Sequence, residues 1–262
     1  MSGVYIGVDG KARKIKGGYI GVDGKARKIK KGYIGVNGVA RLCWSDVDPV
    51  FANNSWEGIA VACQNGNVPD SWRVGDQKTM TIDGTDYTID IIGKNHDDYA
   101  DGSGKAPLTF QLHDCYITTT NMQLNNTNSG GWTSSKMRTS DLPSILSKMP
   151  IGVQTIVRKV KKLTSEGGLK STIVTTEDDL FLLSEVEVFG VANNSFHGEG
   201  TQYEYYKTTA NRVKTLNGTA TAWWERSPNG AYSSEFCKVY SNGVLGSSNA
   251  NVYDGISFAF CF

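Results

Sequence analysis

Alternation of hydrophobic and polar positions is the dominant pattern along the chain, and it predicts short β-strands. Such runs occur at 78–82, 87–92, 108–112, 155–160, 179–183, 236–240 and 256–260. The first two runs flank Asp83-Gly84, a pair that favours a type I′ hairpin turn because both of its residues tolerate a positive φ. These patterns predict short, mostly antiparallel strands.

Two segments carry helix signals instead. Ser55 is a typical N-cap for an apolar run over 56–63 that ends at Asn65-Gly66, and residues 140–149 place Pro143 in the first turn of a second helix. Two helices, many short strands and long polar loops predict an α+β domain. The loops over 193–221 and 229–254 are long enough to be either functional or disordered.

A repeat with a period of 14 residues occupies the first 45 residues. Each of its three copies contains Tyr-Ile-Gly-Val followed by Asp-Gly or Asn-Gly, and two of them continue with Lys-Ala-Arg-Lys-Ile-Lys. Each copy therefore predicts one β-hairpin. Because so short a unit cannot bury an apolar face alone, we expect the copies to stack on neighbours or on other chains.

The charge is divided unevenly along the chain. The net charge is only +1, but residues 1–42 carry ten Lys or Arg against two Asp, a net of +8, and the remainder carries 17 against 24, a net of −7. The basic segment favours a docking strip for an acidic surface or a multichain assembly, with a solvated basic tail as the alternative. It lacks a nucleic-acid reading module, so no nucleic-acid partner is expected.

Apolar stretches and cysteines add two expectations. No run approaches the roughly 18 apolar residues of a transmembrane helix, and the N-terminus lacks the apolar core of a signal peptide, so no membrane partner is expected. The five cysteines, Cys43, Cys63, Cys115, Cys237 and Cys261, form no CxxC pair. We expect free, buried thiols and synthesis in a reducing compartment.

Candidate chemistry is sparse. Carboxylates at Asp97, Asp98 and Asp101 lie beside His96 in a glycine-containing loop, which suits Ca²⁺ but is equally typical of a turn. Because side chains alternate along a strand, His113 and Cys115 are expected to share one side and Asp114 to face the other, so His113-Asp114-Cys115 is interpreted as the edge of the core rather than a catalytic set. Nucleophile-elbow, phosphate-loop and HExxH motifs are missing, so the sequence predicts no catalytic residue and no firm cofactor.

The C-terminal motifs carry a resemblance to a known family. Trp223-Trp224-Glu225-Arg226-Ser227-Pro228 and the terminal run 255–261 resemble the closing segment of a C-type-lectin-like family of unknown function from gram-positive bacteria and their prophages. Segments at 74–76, 92–98 and 182–190 are similar to it as well, so the resemblance covers about residues 55–262. Glu225 is a departure, since related sequences often have Leu there.

This resemblance implies a function and an architecture. The family is kin to the variable proteins of diversity-generating retroelements, and the N-terminal repeat resembles the head of phage tail-associated proteins. Together they imply a receptor-binding adhesin of a phage tail or prophage: a head (1–44), a linker (45–54) and a lectin-like domain (55–262). They imply a protein made in the bacterial cytoplasm and located on the virion, with the head bound to other particle proteins and the domain bound to a host-surface protein or glycan. A homotrimer is expected as well, because single short hairpins need neighbours and weak sites gain from multivalency. The alternatives are a structural tail or baseplate component without a ligand, and an enzyme on a formylglycine-generating-like scaffold.

Within the lectin-like domain, the sequence separates a frame from a binding surface. Trp223, Trp224, Phe258 and Phe260 are expected to anchor the sheet, and Arg226 is expected to bond backbone carbonyls or a carboxylate. The loop 229–254 is rich in Asn, Ser and Tyr, as are adaptable binding surfaces, although an ordinary polar loop is the alternative. The expected ligand contacts are Tyr232, Ser234, Phe236, Tyr240, Ser248, Asn249, Asn251 and Tyr253, of which Phe236 and Tyr240 fit the core equally well.

Overall fold

The structure is a computed structural model, and it describes residues 5–8, 10–14, 18–29, 31–36 and 38–262. Its α+β class agrees with the sequence prediction. The helices are α1 (Trp56–Asn65), α2 (Leu142–Lys148), α3 (Ile151–Gln154) and α4 (Glu185–Phe189). None of the helices in the described part of the chain has the length and apolar character needed to cross a bilayer.

The strands are short and pair almost entirely with antiparallel neighbours. Their bounds are β1 (Tyr5–Val8), β2 (Lys11–Lys14), β3 (Gly18–Val22), β4 (Lys25–Ile29), β5 (Lys31–Val36), β6 (Val39–Ser45), β7 (Gln77–Ile82), β8 (Thr85–Lys94), β9 (Leu108–Leu112), β10 (Val160–Gly167), β11 (Lys170–Asp178), β12 (Leu180–Phe181), β13 (Lys214–Leu216), β14 (Thr219–Thr221), β15 (Trp223–Pro228), β16 (Glu235–Val239), β17 (Leu245–Asn249) and β18 (Ala259–Cys261).

Backbone contacts divide the chain into two compact units. The first contains residues 1–73 together with Phe262, and the second contains residues 74–261. The first unit thus includes the basic repeats, the segment 45–54 expected to be a linker, and α1.

The basic repeats fold as the sequence predicts. Each copy forms a two-stranded hairpin, with β1 paired to β2, β3 to β4 and β5 to β6. In the second copy Val22 faces Lys25, and the intervening Asp23 and Gly24 have φ values of 49° and 72°, as a type I′ turn requires. The turn residues Asp9 and Asn37 and the side chain of Cys43 lie outside the described residues.

Helix α1 also begins and ends at the predicted signals. The Ser55 side chain accepts a hydrogen bond from the Gly58 backbone N–H (3.1 Å), and Gly66 ends the helix in the left-handed conformation. Within this unit the ring of Phe51 packs edge-on against Trp72 (5.4 Å between centroids), and that of Trp56 packs against Phe262 (5.9 Å).

The second unit is built on a five-stranded sheet in the order β12-β18-β9-β8-β7. All five residues of β9, including Thr109 and Gln111, are buried, as expected for the strand in the middle of the sheet. A second sheet, β15-β16-β17, and the hairpins β10-β11 and β13-β14 complete the unit. The described cysteines of the chain, Cys63, Cys115, Cys237 and Cys261, are free and buried, as predicted.

Two sequence predictions for local structure are wrong. The segment 155–160 is not a strand, because α3 follows Pro150 and the strand begins only at Val160. His113 and Cys115 do not share one side of a strand, because β9 ends at Leu112; the His113 side chain is 44% exposed and Cys115 is buried.

Candidate functional site

Three segments of the second unit are joined edge to edge by backbone hydrogen bonds. The Thr120 N–H donates to the Asp254 carbonyl oxygen (3.0 Å), and the Gln123 N–H donates to that of Ala250 (2.9 Å). The Ala250 N–H in turn donates to the carbonyl oxygen of Ser234 (2.8 Å). Residues 120–125, 232–234 and 249–254 therefore form one continuous surface, which we call the display face.

Most of the predicted contact residues lie on or beside the display face with their side chains accessible. Tyr232 is 61% exposed and Tyr253 64% exposed, and Asn249 and Asn251 are exposed as well. Ser234 and Ser248 are half-buried. Leu124, 72% exposed and absent from the sequence prediction, adds an apolar side chain to the same face.

One buried side chain fixes the loop that carries Tyr232. The Asn128 side-chain amide donates to the carbonyl oxygens of Asn229 (3.1 Å), Tyr232 (3.0 Å) and Glu235 (2.8 Å), and its own oxygen accepts from the Gly168 N–H (2.7 Å). A side chain at Gly167 (φ +72°) would collide with the carbonyl oxygen of Asn128, so only glycine fits there. Tyr232 thus projects from a loop whose backbone is held in one conformation.

Two predicted contact residues do not belong to this surface. Phe236 is fully buried, because it points inward from the central strand of the β15-β16-β17 sheet, and its prediction as a ligand contact is wrong. Tyr240 is 43% exposed but follows the other end of β16, where it forms the turn to β17. The structure therefore separates Tyr240 from Tyr232 and Tyr253.

The frame residues behave as the sequence predicts. Trp223, Trp224, Phe258 and Phe260 are fully buried. Arg226, also fully buried, donates to the carbonyl oxygens of Leu163 (2.9 Å), Leu182 (2.9 Å) and Glu199 (2.9 Å) and forms a two-point ion pair with the Glu187 carboxylate. Such a planar, bidentate pair is the geometry for which arginine is suited.

The Arg226–Glu187 pair belongs to a larger buried charge network that no sequence motif revealed. Lys162 Nζ lies 2.6 Å from Glu187 and 2.7 Å from Asp97, and the Tyr203 hydroxyl donates to Asp97 (2.8 Å). Burial alone would raise the pKa of Asp97, but Lys162, His96 and the hydrogen bonds lower it to about 2. The one local signal was the capping box at the start of α4, in which Ser184 and Glu187 bond each other's backbone N–H.

The three carboxylates considered for Ca²⁺ face three different cations. Asp97 is buried against Lys162, while the half-exposed Asp98 and Asp101 pair with Lys105 (3.2 Å) and Arg158 (2.5 Å). A different trio, His96, Asp97 and Glu187, brings one ligand atom each within 4.8 Å of one another. Because the Lys162 ammonium already lies between Asp97 and Glu187, a metal ion there would have to displace it, and metal binding in this region stays a prediction.

His113, which follows the end of β9, forms a histidine–carboxylate pair with Asp90 of the neighbouring strand β8. His113 Nδ1 lies 2.8 Å from a carboxylate oxygen of the buried Asp90, which also accepts from the Tyr205 hydroxyl (2.8 Å). The hydrogen bond to Asp90 raises the pKa of His113, although partial burial opposes the shift.

Glu225, unlike the buried carboxylates described above, has no hydrogen-bond partner among the described residues. Glu225 is fully buried, and in the described part of the chain neither of its carboxylate oxygens has a hydrogen-bond partner. Burial, then the nearby Glu185 and Glu199, raises the pKa of Glu225 well above its ordinary value. Its surroundings therefore favour the neutral form of the Glu225 carboxyl group.

Comparison with known proteins bears on the C-terminal part of this framework. No curated protein and no solved structure matches the chain. One family model matches residues 112–262, more than half of the chain, and covers β13 to β18, the display face and Arg226. The chain therefore belongs to the family described as a domain of unknown function (DUF6273).

Proposed function

We propose that this protein is a receptor-binding adhesin whose display face contacts a host-surface protein or glycan. The observation that carries the proposal is the combination of exposed aromatic side chains with a fixed backbone: Tyr232 projects from the loop that Asn128 holds at three carbonyl groups. Aromatic side chains held in advance supply contact area at a small entropic cost, which is what a binding surface requires.

The arrangement of charged groups supports binding rather than catalysis. Lys162 lies between the buried carboxylates of Asp97 and Glu187, and Glu187 also pairs with the buried Arg226. These charges are therefore used inside the protein. The display face, in contrast, offers Tyr, Asn, Ser and Leu side chains, which recognise ligands by contact area and neutral hydrogen bonds.

The wider setting is proposed from the sequence resemblance. The domain has a C-type-lectin-like fold, the protein is located on a phage tail, and the basic head 1–44 attaches it to other particle proteins as a homotrimer. Three copies of a weak site would raise the overall affinity for a surface that presents many ligands.

The test is binding of the full chain to intact cells. Fluorescently labelled protein is added to a panel of gram-positive bacteria, and bound fluorescence is measured by flow cytometry for the wild type and for Tyr232→Ala/Tyr253→Ala. We expect the double variant to lose binding at least about tenfold, as expected when aromatic anchors are removed. Pretreatment of the cells with protease or with periodate then separates a protein ligand from a glycan.

Ile151→Ala is the matched control, because it removes an apolar side chain that is 74% exposed and lies on α3. It should bind like the wild type. Equal binding by the wild type and the tyrosine double variant, or no binding to any strain in the panel, would contradict the proposal and favour a structural role.

A further inference from the structure

A cleft of about 630 Å³ opens at the turn between β16 and β17. Three segments form its walls: residues 189–193 at the end of α4, residues 209–213, and the turn residues 242–245. Its volume lies within the range typical of small-molecule sites, roughly 300–1,000 Å³. No predicted contact residue lines it, although the turn belongs to the polar loop 229–254.

The walls of this cleft are largely apolar and accessible. They include Phe189, Val191, Ala210, Val213, Val244 and Leu245. Val191, Val213 and Val244 are 47%, 42% and 55% exposed, so a ligand with an apolar body would remove this surface from water.

One charged side chain lines the cleft, and its charge is not balanced there. The Arg212 guanidinium lies over the Phe189 ring (4.6 Å to the centroid), and its Nη2 donates to the Tyr206 carbonyl oxygen (3.3 Å). Its Nε is buried and has no acceptor, and among the described residues no carboxylate lies within ion-pair distance of Arg212. No acidic residue lines the cleft, which is therefore electropositive.

The backbone around Arg212 is held in place. The Trp223 indole N–H donates to the Arg212 carbonyl oxygen (2.9 Å), and the Val213 N–H donates to that of Ala210 (3.2 Å). On the opposite wall, a Cβ at Gly243 (φ +80°) would lie 3.1 Å from a Val213 methyl group, so the two walls meet at this glycine. The guanidinium is thus presented on a preformed scaffold rather than on a free chain end.

We infer that this cleft binds a small organic carboxylate with an apolar body, the carboxylate on Arg212 and the apolar body against Phe189 and the three valines. The buried Nε is out of reach of a ligand, but Nη1 and the second N–H of Nη2 have no acceptor among the described residues, and this pair of donors matches the two oxygens of a carboxylate. An aromatic or aliphatic group fits the rest of the cleft. The ligand class follows from this juxtaposition of one unpaired arginine with apolar walls.

This site is separate from the display face. The display face lies where Glu235 pairs with Asn249, and the cleft lies beyond the pair of Val239 with Leu245, at the other end of the same hairpin. Four residue steps of extended strand separate the two ends by about 13 Å. The inference therefore stands independently of the proposed adhesin function.

The experiment titrates the full-length protein with N-acetyl-L-phenylalanine and, separately, with its uncharged amide, and follows binding by ligand-observed NMR. We expect the carboxylate to bind at least about tenfold more tightly than the amide, because only the carboxylate can accept two charge-assisted hydrogen bonds from Arg212. Arg212→Met should abolish that preference. Arg27→Met, which removes an exposed arginine from β4, is the matched control and should leave binding unchanged.

A second variant guards against misfolding of Arg212→Met. Val244→Glu replaces an exposed apolar side chain of the cleft wall with a carboxylate and should weaken binding of the carboxylate at least about fivefold, through like-charge repulsion and lost apolar contact, while binding to cells stays unchanged. Equal binding of carboxylate and amide, an unaltered preference in either folded cleft variant, or tighter binding of benzyl phosphate than of the carboxylate would overturn the inference.

Discussion

At the residue scale, Glu225 stands out as a buried carboxyl group that destabilises the folded protein. It is fully buried, neither oxygen has a partner among the described residues, and Glu185 and Glu199 lie nearby. A buried carboxyl group without a hydrogen bond costs roughly 1–3 kcal/mol even when protonated. The sequence resemblance marked Glu225 as a departure from related sequences, and burial explains why an apolar side chain suits that position.

We expect Glu225→Met to stabilise the protein, by about 1–3 kcal/mol near pH 4, where the carboxyl group is largely protonated in both states, and by more at higher pH. The raised pKa also fixes the pH dependence. Below the ordinary carboxyl pKa, Glu225 is protonated in both the folded and the unfolded state. Above that pKa it ionises only in the unfolded state. The free energy of unfolding of the wild type therefore falls by up to about 1.4 kcal/mol per pH unit until the folded-state pKa is reached. Urea unfolding at pH 5, 6.5 and 8 measures the difference, which should widen with pH.

Glu204→Met, at an exposed position, is the control and should change the free energy of unfolding little at any of these pH values. If Glu225→Met is less stable than the wild type at every pH, or if the difference between them is independent of pH, the prediction is wrong and the Glu225 carboxyl group has a hydrogen-bond partner in the folded protein.

His113 has the opposite kind of shift, since its hydrogen bond to Asp90 favours the charged form. A histidine whose pKa is raised by folding contributes stability below its unfolded pKa of about 6.5, and this contribution is lost as the pH rises through the folded-state pKa. Between pH 6 and pH 8.5 we expect the free energy of unfolding of the wild type to fall by about 0.5 kcal/mol more than that of His113→Gln. The difference is small because the imidazole is half-exposed and its ion pair is screened. Identical urea midpoints across this range in the two proteins would refute the assignment.

At the scale of elements, local signals located most of the structure that depends on neighbours in sequence. Ser55 and Gly66 bound α1, and Asp83-Gly84 joins β7 to β8, because caps and two-residue turns are decided by the backbone conformations that a few residues allow. The hairpin β10-β11 was not identified, since it turns through Gly167, Gly168 and a left-handed Leu169 (φ 66°). That conformation is rare for leucine and gives no recognisable signal.

Local sequence signals did not predict the buried hydrogen bonds between residues that are far apart in sequence. Tyr203 comes from a segment that reads as a featureless loop, yet its hydroxyl bonds Asp97, 106 positions away. Likewise, Asn128 looks like an ordinary loop residue, and only the folded chain shows that it holds three carbonyl groups of the display-face loop. The pattern predicted a polar binding loop but not what fixes it.

The role of Asn128 in holding the loop 229–235 can be tested by substitution. We expect Asn128→Ala to lower the free energy of unfolding by about 2–4 kcal/mol, because it leaves the Asn229 carbonyl oxygen and the Gly168 N–H without a partner. The carbonyl oxygens of Tyr232 and Glu235 lose one donor but keep the backbone N–H groups of Glu235 and Asn229. Amide hydrogen exchange at 229–235 should accelerate. The exposed Asn126 provides the control, as Asn126→Ala should alter neither quantity. Unchanged exchange in the Asn128 variant would mean that the loop is held by other groups.

At the scale of the whole molecule, the distribution of charge and exposed apolar surface distinguishes the head from the rest. Residues 1–42 hold a net charge of +8, and in their hairpins Tyr19 and Tyr33 are 67% and 57% exposed. A two-stranded hairpin is at best marginally stable in water by itself, because it has nothing against which to pack. The third hairpin lies against α1 through β6, so the first two repeats need a further surface, and further copies of the chain supply one with the same tyrosines.

We expect the full chain to be an oligomer, a trimer in the architecture proposed above, with a mass three times 28.5 kDa by light scattering after size-exclusion chromatography. Replacing both head tyrosines, Tyr19→Ser/Tyr33→Ser, should shift it toward the monomer, since association through the hairpins buries these rings. Tyr232→Ser/Tyr253→Ser removes two equally exposed rings from the display face and should leave the mass unchanged. A full chain that is monomeric at every concentration tested would place the partner of the head outside this chain, on another component to which the basic strip must bind.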